Sequence, residues 1–283
     1  MVVVSVINGP AAGAQGRGLD RNQRTSGADL DEADATGAAV RVVNAGGRGR
    51  FVVLVDHASR HVPAEYGRLG LSDAELERHI AWDAGALAVA TLVAGEFDAP
   101  LIHSCVSRLV IDVNRAPDAP DLIAARSEDT DIPGNAGLDD AARHRRIATI
   151  YTPYHAAIAD VLAARQADRM ASIVISIHTF TPVFRGQRRP WHVGVLHGRD
   201  TRIAAPLRAA LALDAGLVVG DNEPYSPADG VYYTLARHGE ARGLATAMIE
   251  IRSDLVATAA GQRDWAERLS GALGGLDLPA RAA

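Results

Sequence analysis

Ile173-Val174-Ile175-Ser176-Ile177-His178-Thr179-Phe180-Thr181-Pro182 is the stretch on which the reading of the fold turns. An apolar run that gives way abruptly to polar residues and a proline reads as a buried strand of a parallel sheet. His178 stands where that strand breaks into a loop. His57 repeats the arrangement after Phe51-Val52-Val53-Leu54-Val55-Asp56, and Ala247-Met248-Ile249 delivers Glu250 ahead of Ile251-Arg252. Ligands bind at the carboxyl ends of strands in α/β sheets. Two histidines and a glutamate delivered this way outline a metal centre with a general base beside it.

Working outward, Val40 to Val43, Leu101-Ile102, Leu109 to Val113, Val193 to Leu196 and Leu217 to Val219 are further strand-like runs. Leu71-Ser72-Asp73-Ala74-Glu75 opens a helix, with Ser72 as N-cap and Glu75 closing a capping box. Leu76, Ile80, Leu87 and Leu92 continue it at near-helical spacing. Asp139 to about Asp168 is helical in two pieces, because Pro153 should break or restart it. Ala204 to Leu213 and about Ala260 to Leu273 are the later helices. Strands alternating with helices imply an α/β fold: a three-layer αβα arrangement around a mostly parallel central sheet. Residues 7 to 38 are rich in Gly, Ala, Asp and Arg, so 1–38 is expected to be a flexible extension and 39–283 a single domain. Residues 116 to 137 hold several prolines, glycines and aspartates, the composition of a lid, a binding loop or a disordered segment.

Composition removes whole classes of chemistry. The chain of 283 residues contains no lysine, so Schiff-base catalysis and a Walker A lysine are excluded. Its single cysteine, Cys105, rules out an intrachain disulfide and a multi-cysteine zinc site. Any metal must therefore be held by His, Asp, Glu or water. A net charge of -5 argues against nucleic acid. No apolar stretch reaches the roughly 20 residues that span a bilayer, and the N-terminus lacks a signal peptide's features, so a cytoplasmic enzyme is expected. Its partner would be a small-molecule substrate, and a homo-oligomer is compatible with the sequence.

Among ten histidines, His57 and His178 stand out by their strand-end placement. Neutral imidazole suits Zn2+, and a catalytic zinc commonly has a third protein ligand. Asp83, in what reads as the body of a helix, is the first choice; Asp56 could instead orient a histidine from behind. Glu250 is buried by its context and needs a partner; it is the candidate general base, with a simple ion pair to Arg252 as the alternative. Arg115, with Asn114, is the candidate carboxylate clamp, since arginine grips carboxylates bidentately. Arg108, Arg185 and Arg252 are further candidates.

These segments, in order, resemble the N-formylglutamate amidohydrolase family. The resemblance is carried by Val55-Asp56-His57-Ala58, His79-Ile80-Ala81-Trp82-Asp83, Ser107 to Arg115, Pro153-Tyr154-His155, Ser176 to Pro182, Pro190-Trp191-His192-Val193-Gly194, Gly220-Asp221-Asn222-Glu223-Pro224-Tyr225 and Ile249-Glu250-Ile251-Arg252. It runs from about residue 40 to 275. The family is similar in turn to zinc carboxypeptidases and aspartoacylases, which implies a zinc-exopeptidase-like sheet. It also implies one divalent ion on His57 and His178, with Glu250 as base and Arg115 on the substrate. Three residues after His57, where those relatives carry a glutamate ligand, this chain has Arg60, so the carboxylate is either supplied from elsewhere, such as Asp83, or absent. The resemblance adds His155, Arg185, His192, Tyr225 and His238 as substrate-side candidates. It implies hydrolysis of an N-acyl acidic amino acid, N-formyl-L-glutamate first. A deacylase or carboxypeptidase-like enzyme of other acyl preference is the first alternative. A metal-free binding protein on the same fold, supported by Arg60, is the second.

Overall fold

The computed structural model describes residues 4–7 and 37–277. Eight strands form one sheet: β1 (Val4–Ile7), β2 (Val40–Val43), β3 (Phe51–Val55), β4 (Leu101–Ser104), β5 (Ile173–Phe180), β6 (Val193–Leu196), β7 (Val219–Asp221) and β8 (Ala245–Arg252). Their order is β1-β2-β4-β3-β5-β8-β6-β7. The central strands β4, β3, β5 and β8 run parallel, and β2 and β6 join them antiparallel. The outer pairs β1–β2 and β6–β7 are each parallel within themselves. The sheet is thus mixed and mostly parallel, as the strand patterns imply.

Alternation along the central strands sorts the two faces. Phe51, Val53, Val55, Ile173, Ile175, Ile177, Ala247, Ile249 and Ile251 belong to one core, packed under α2 (Ala86–Glu96), α5 (Ala204–Leu211) and α7 (Ala259–Gly274). Val52, Leu54, Val174 and Met248 belong to the other, covered by α4 (Thr152–Ala167) and by Tyr232 and Leu235 around α6 (Tyr233–His238). The side on which the next strand is added switches between β3 and β5: the connection leaving β3 goes to β4 on one side, and the one leaving β5 goes toward β6 and β8 on the other. The crevice between the carboxyl ends of β3 and β5 is therefore the topological switch point, where open α/β sheets bind ligands.

Several expectations are corrected. Of the stretch 1–38, Val4–Ile7 pair with β2 as an edge strand; residues 8–36 lie outside the described residues. The helix opened by Ser72 is a single turn, α1 (Asp73–Leu76), with its capping box formed. It does not run on through Asp83. Gly85 takes φ 84°, and a Cβ there would lie 2.6 Å from the Val256 carbonyl, so the chain turns at a position only glycine fills and starts α2 afresh. The face of α2 that packs is Ala86, Val89, Ala90 and Val93, with Leu87 and Leu92 only partly buried. The span from Asp139 to Asp168 is helical in two α-helical pieces, as expected: a π-helical stretch, Ile147–Tyr151, joins α3 (Asp140–Arg146) to α4, and Pro153 sits in the first turn of the second piece.

Leu109 to Val113 is buried but is not a strand. Its backbone is satisfied by turn bonds, such as the Asp112 N–H to the Leu122 carbonyl, and by side chains: Asn135 Nδ2 donates to the Leu109 carbonyl and Arg146 Nη1 to that of Val110, each at 2.8 Å. The 116–137 segment is likewise no lid. Leu122, Ile123 and Ile132 are buried in the core, and a short hairpin, Arg126–Ser127 with Thr130–Asp131, ties it off.

Candidate metal centre and its surroundings

Three of the central strands deliver the polar residues. Asp56 and His57 follow β3, His178 lies in β5, and Glu250 lies in β8 as the registered neighbour of His178. His178 and Glu250 occupy the face that Val174 and Met248 begin, so the pleat turns both toward the same layer. The loop after β4 adds Arg108 and Asp112, and the turn before α2 adds Asp83, whose N–H bonds the His57 carbonyl at 2.9 Å.

Hydrogen bonds orient each imidazole. His57 Nε2 lies 2.7 Å from Asp112 Oδ1. An ionised carboxylate only accepts, so Nε2 is the donor in this bond. His57 Nδ1 is buried with no hydrogen-bond partner, 3.5 Å from Asp83 Oδ2. His178 Nδ1 is 2.8 Å from the same Asp83 oxygen, and its Nε2 is 2.9 Å from Asp56 Oδ2. Burial opposes charge on His178, but the bonds to Asp56 and Asp83 overcome it and hold the imidazole well above its usual range. Burial would raise the Asp83 carboxyl; the charge of His57 and the bond from His178 pull it below the ordinary range. Asp112 is lowered as well, with Arg108 and His57 overriding its burial. Asp56 accepts from Tyr154 Oη, Thr234 Oγ1 and Ser176 Oγ as well as from His178.

One ligand atom from each of His57, Asp83 and His178 lies within 4.8 Å of the others, and all three residues are buried. The donor set fits a divalent ion: two imidazoles and a carboxylate, each imidazole backed by a second carboxylate, the usual way a metal-binding histidine is oriented. Beside them Glu250 is 4% exposed with Oε2 unpartnered. Burial raises its carboxyl from 4.5 to about 7, against the opposing pull of His178.

The other expected site residues fall into two groups. Arg108 stays with the cluster, 2.7 Å from Asp112 and 3.7 Å from Asp83, and Tyr225 stands near enough for the Glu250 charge to raise its phenol after burial does. The rest are committed elsewhere. Arg115 bonds Asp121 at 2.8 Å and the Asn114 and Gly230 carbonyls, so it braces a loop. Asn114 gives its amide to the Val231 carbonyl and accepts from the Thr234 N–H. His155 is buried against His238, Nδ1 to Nε2 at 2.8 Å, and burial pushes their values down to about 3 and about 4. His192 Nδ1 caps the Val218 N–H, Arg252 pairs with Asp254, and Arg185 lies exposed over Phe184. Arg60 pairs with Glu77 and stacks on Trp82, 5.5 Å from its ring centre, which leaves Asp83 as the carboxylate beside His57 and His178.

Asp112 is the functional position that residue patterns passed over. Its signal was available: Asp112 ends a buried apolar run just as Asp56 does, and a buried carboxylate requires a partner.

The N-formylglutamate amidohydrolase family model matches residues 49–257. The chain belongs to this family. All of the cluster, from Asp56 to Glu250, falls inside the matched span. Among solved structures the chain is similar to gene product Atu2144 from Agrobacterium tumefaciens, with 44% identity and a TM-score of 0.83 over 86% of this chain and 95% of that one. It is also similar to N-formylglutamate amidohydrolase from Ralstonia eutropha JMP134, with 19% identity and a TM-score of 0.53 over 83% and 95%, a likeness of fold. No curated protein matches the chain. Among the described residues, no helix is long and apolar enough to cross a membrane.

Proposed function

We propose that this protein is a metal-dependent amidohydrolase that converts N-formyl-L-glutamate and water to formate and L-glutamate. The observation that carries the metal reading is His57 Nδ1: a buried ring nitrogen without a hydrogen bond, converging with Asp83 and His178 beside an unpartnered Glu250 oxygen. The substrate reading rests on family membership. His57, Asp83 and His178 would hold the ion, most naturally Zn2+. When bound, such an ion acidifies water and polarises a carbonyl.

The chain's own residues supply the rest. Glu250 Oε2, with a carboxyl raised to about 7, accepts the proton that water gives up as it attacks the formyl carbon. It returns that proton to the amide nitrogen as the C–N bond breaks, so the amine leaves neutral and the formyl group leaves as formic acid, which ionises. Asp112 and Asp56 keep both imidazoles aimed inward. Arg108 and Tyr225 border the reacting centre and restrict how an amide can approach.

The test is metal analysis with assay. Purified protein should carry about one divalent ion per chain, lose N-formylglutamate hydrolysis on chelation and regain it with zinc. Full activity after chelation would end the metal reading. Metal-dependent hydrolysis of other N-acyl amino acids but not the formyl compound would make the protein a deacylase of different preference.

A further inference from the structure

The hairpin that follows His178 carries an arginine without an acid. Strands Val183–Phe184 and Gln187–Arg188 pair antiparallel around Arg185 and Gly186, whose φ angles of 49° and 78° suit a two-residue turn. The Arg189 N–H bonds the Pro182 carbonyl at 2.9 Å, which returns the chain to the end of β5. There the guanidinium lies among three aromatic rings, 4.5 Å from the centre of Phe184, 4.7 Å from Tyr225 and 5.8 Å from Phe180. Its N–H groups make two 3.5 Å contacts, to the Thr181 carbonyl and hydroxyl, and reach the Tyr225 phenol. At the same end of the sheet Arg108 is paired with Asp112, Arg115 with Asp121 and Arg252 with Asp254.

An arginine stacked on aromatic faces keeps its N–H edges available for a bidentate acid. The position is also right. Phe180 is one pleat beyond His178 on the same face of β5, a step of roughly 7 Å, comparable with the reach from an amide carbon to the side-chain carboxylate of a glutamyl group. Tyr225, under the guanidinium, is also close enough to Glu250 and Arg108 to respond to their charges. We infer that Arg189, backed by Phe184 and Tyr225, binds the side-chain carboxylate of the substrate and sets the preference for an acidic amino acid. This rests on the amide-hydrolase reading for its substrate, while the anion site itself does not.

The test uses the zinc-loaded enzyme and Arg189→Gln, with N-formyl-L-glutamate and the equally sized, neutral N-formyl-L-glutamine. The variant should raise KM for the acid roughly 10- to 100-fold, the range of a lost charged hydrogen-bond pair, with kcat/KM for the amide within about threefold. Arg189→Lys, which keeps the charge without the fork, should recover part of the loss. Equal loss on both substrates, or none, overturns the inference. Calorimetric binding of glutarate is the readout independent of turnover. If the protein hydrolyses no N-formyl acid but binds glutarate in an Arg189-dependent way, the inference stands and the proposed reaction falls. Absent glutarate binding, or equal binding by Arg189→Gln, removes the site.

Discussion

Glu250→Gln tests the centre most directly, because it separates a base from a ligand and from a structural ion pair. The side chain is buried with one oxygen unpartnered, and burial lifts its carboxyl from 4.5 to about 7. A carboxyl whose folded value exceeds its unfolded value binds its proton more tightly in the folded state. The metal-free protein therefore loses stability as pH rises from 4.5 toward 7 and does not regain it above. The gap corresponds to about 3 kcal/mol. Glutamine has no proton to lose and keeps the shape, so the metal-free variant should match wild type near pH 4.5 and exceed it by up to that amount at pH 8 in urea melts. In the zinc-loaded enzyme the same substitution should lower kcat by about 10²–10⁴-fold at unchanged metal content, and the acidic limb of kcat/KM should disappear. Near-normal kcat with intact metal, or a stability difference that does not vary with pH, would refute the reasoning. Metal lost together with activity would make Glu250 a ligand.

Asp112→Asn removes the negative charge behind His57 Nε2 and should weaken zinc about 10- to 100-fold in competition with a chromophoric chelator. An unchanged affinity would separate Asp112 from the centre. Zinc binding at pH 7 should release about one proton per ion, from His178, visible as a dependence of the calorimetric heat on buffer ionisation enthalpy. Heat that does not vary with buffer would mean that His178 is already neutral. Arg115→Ala should cost about 1–3 kcal/mol in stability through its lost bonds to Asp121 and two carbonyls. Any KM change should be alike for charged and neutral substrates, and a loss confined to the charged one would return Arg115 to substrate binding.

The sheet and the ends of its central strands were legible because burial on both faces writes continuous apolar runs, and a polar residue that ends such a run must have a reason to be there. His57, His178 and Glu250 were found that way, and Asp83 by the need for a third ligand. The arginines and Asn114 were not legible by the same logic. Whether an arginine is aimed at solvent, at Asp121 or at a substrate depends on contacts tens of residues away. Arg115 and Asn114 sit in a persuasive motif, yet their polar atoms are consumed in holding residues 230 to 234 and Asp121. Arg189 sits in an undistinguished Arg188-Arg189-Pro190 run, and only the folded hairpin places it among three rings. Asp83 lies in a turn shaped by Gly85, not in the helix body that its flanking sequence suggests.

Charge balance explains why these groups tolerate one another in the interior. Asp56, Asp83 and Asp112 are held ionised, and against them the buried cluster sets Arg108 and a protonated His178. Burial keeps the Glu250 carboxyl protonated to about 7 against the opposing pull of His178, with Asp83 alone among its charged neighbours adding to the rise. A divalent ion held by His57, Asp83 and His178 would bring two positive charges up to these carboxylates. It would lower the cost of ionising Glu250 beside it. Loading the centre and readying the base would then be one electrostatic event, in which the buried carboxylates favour the ion.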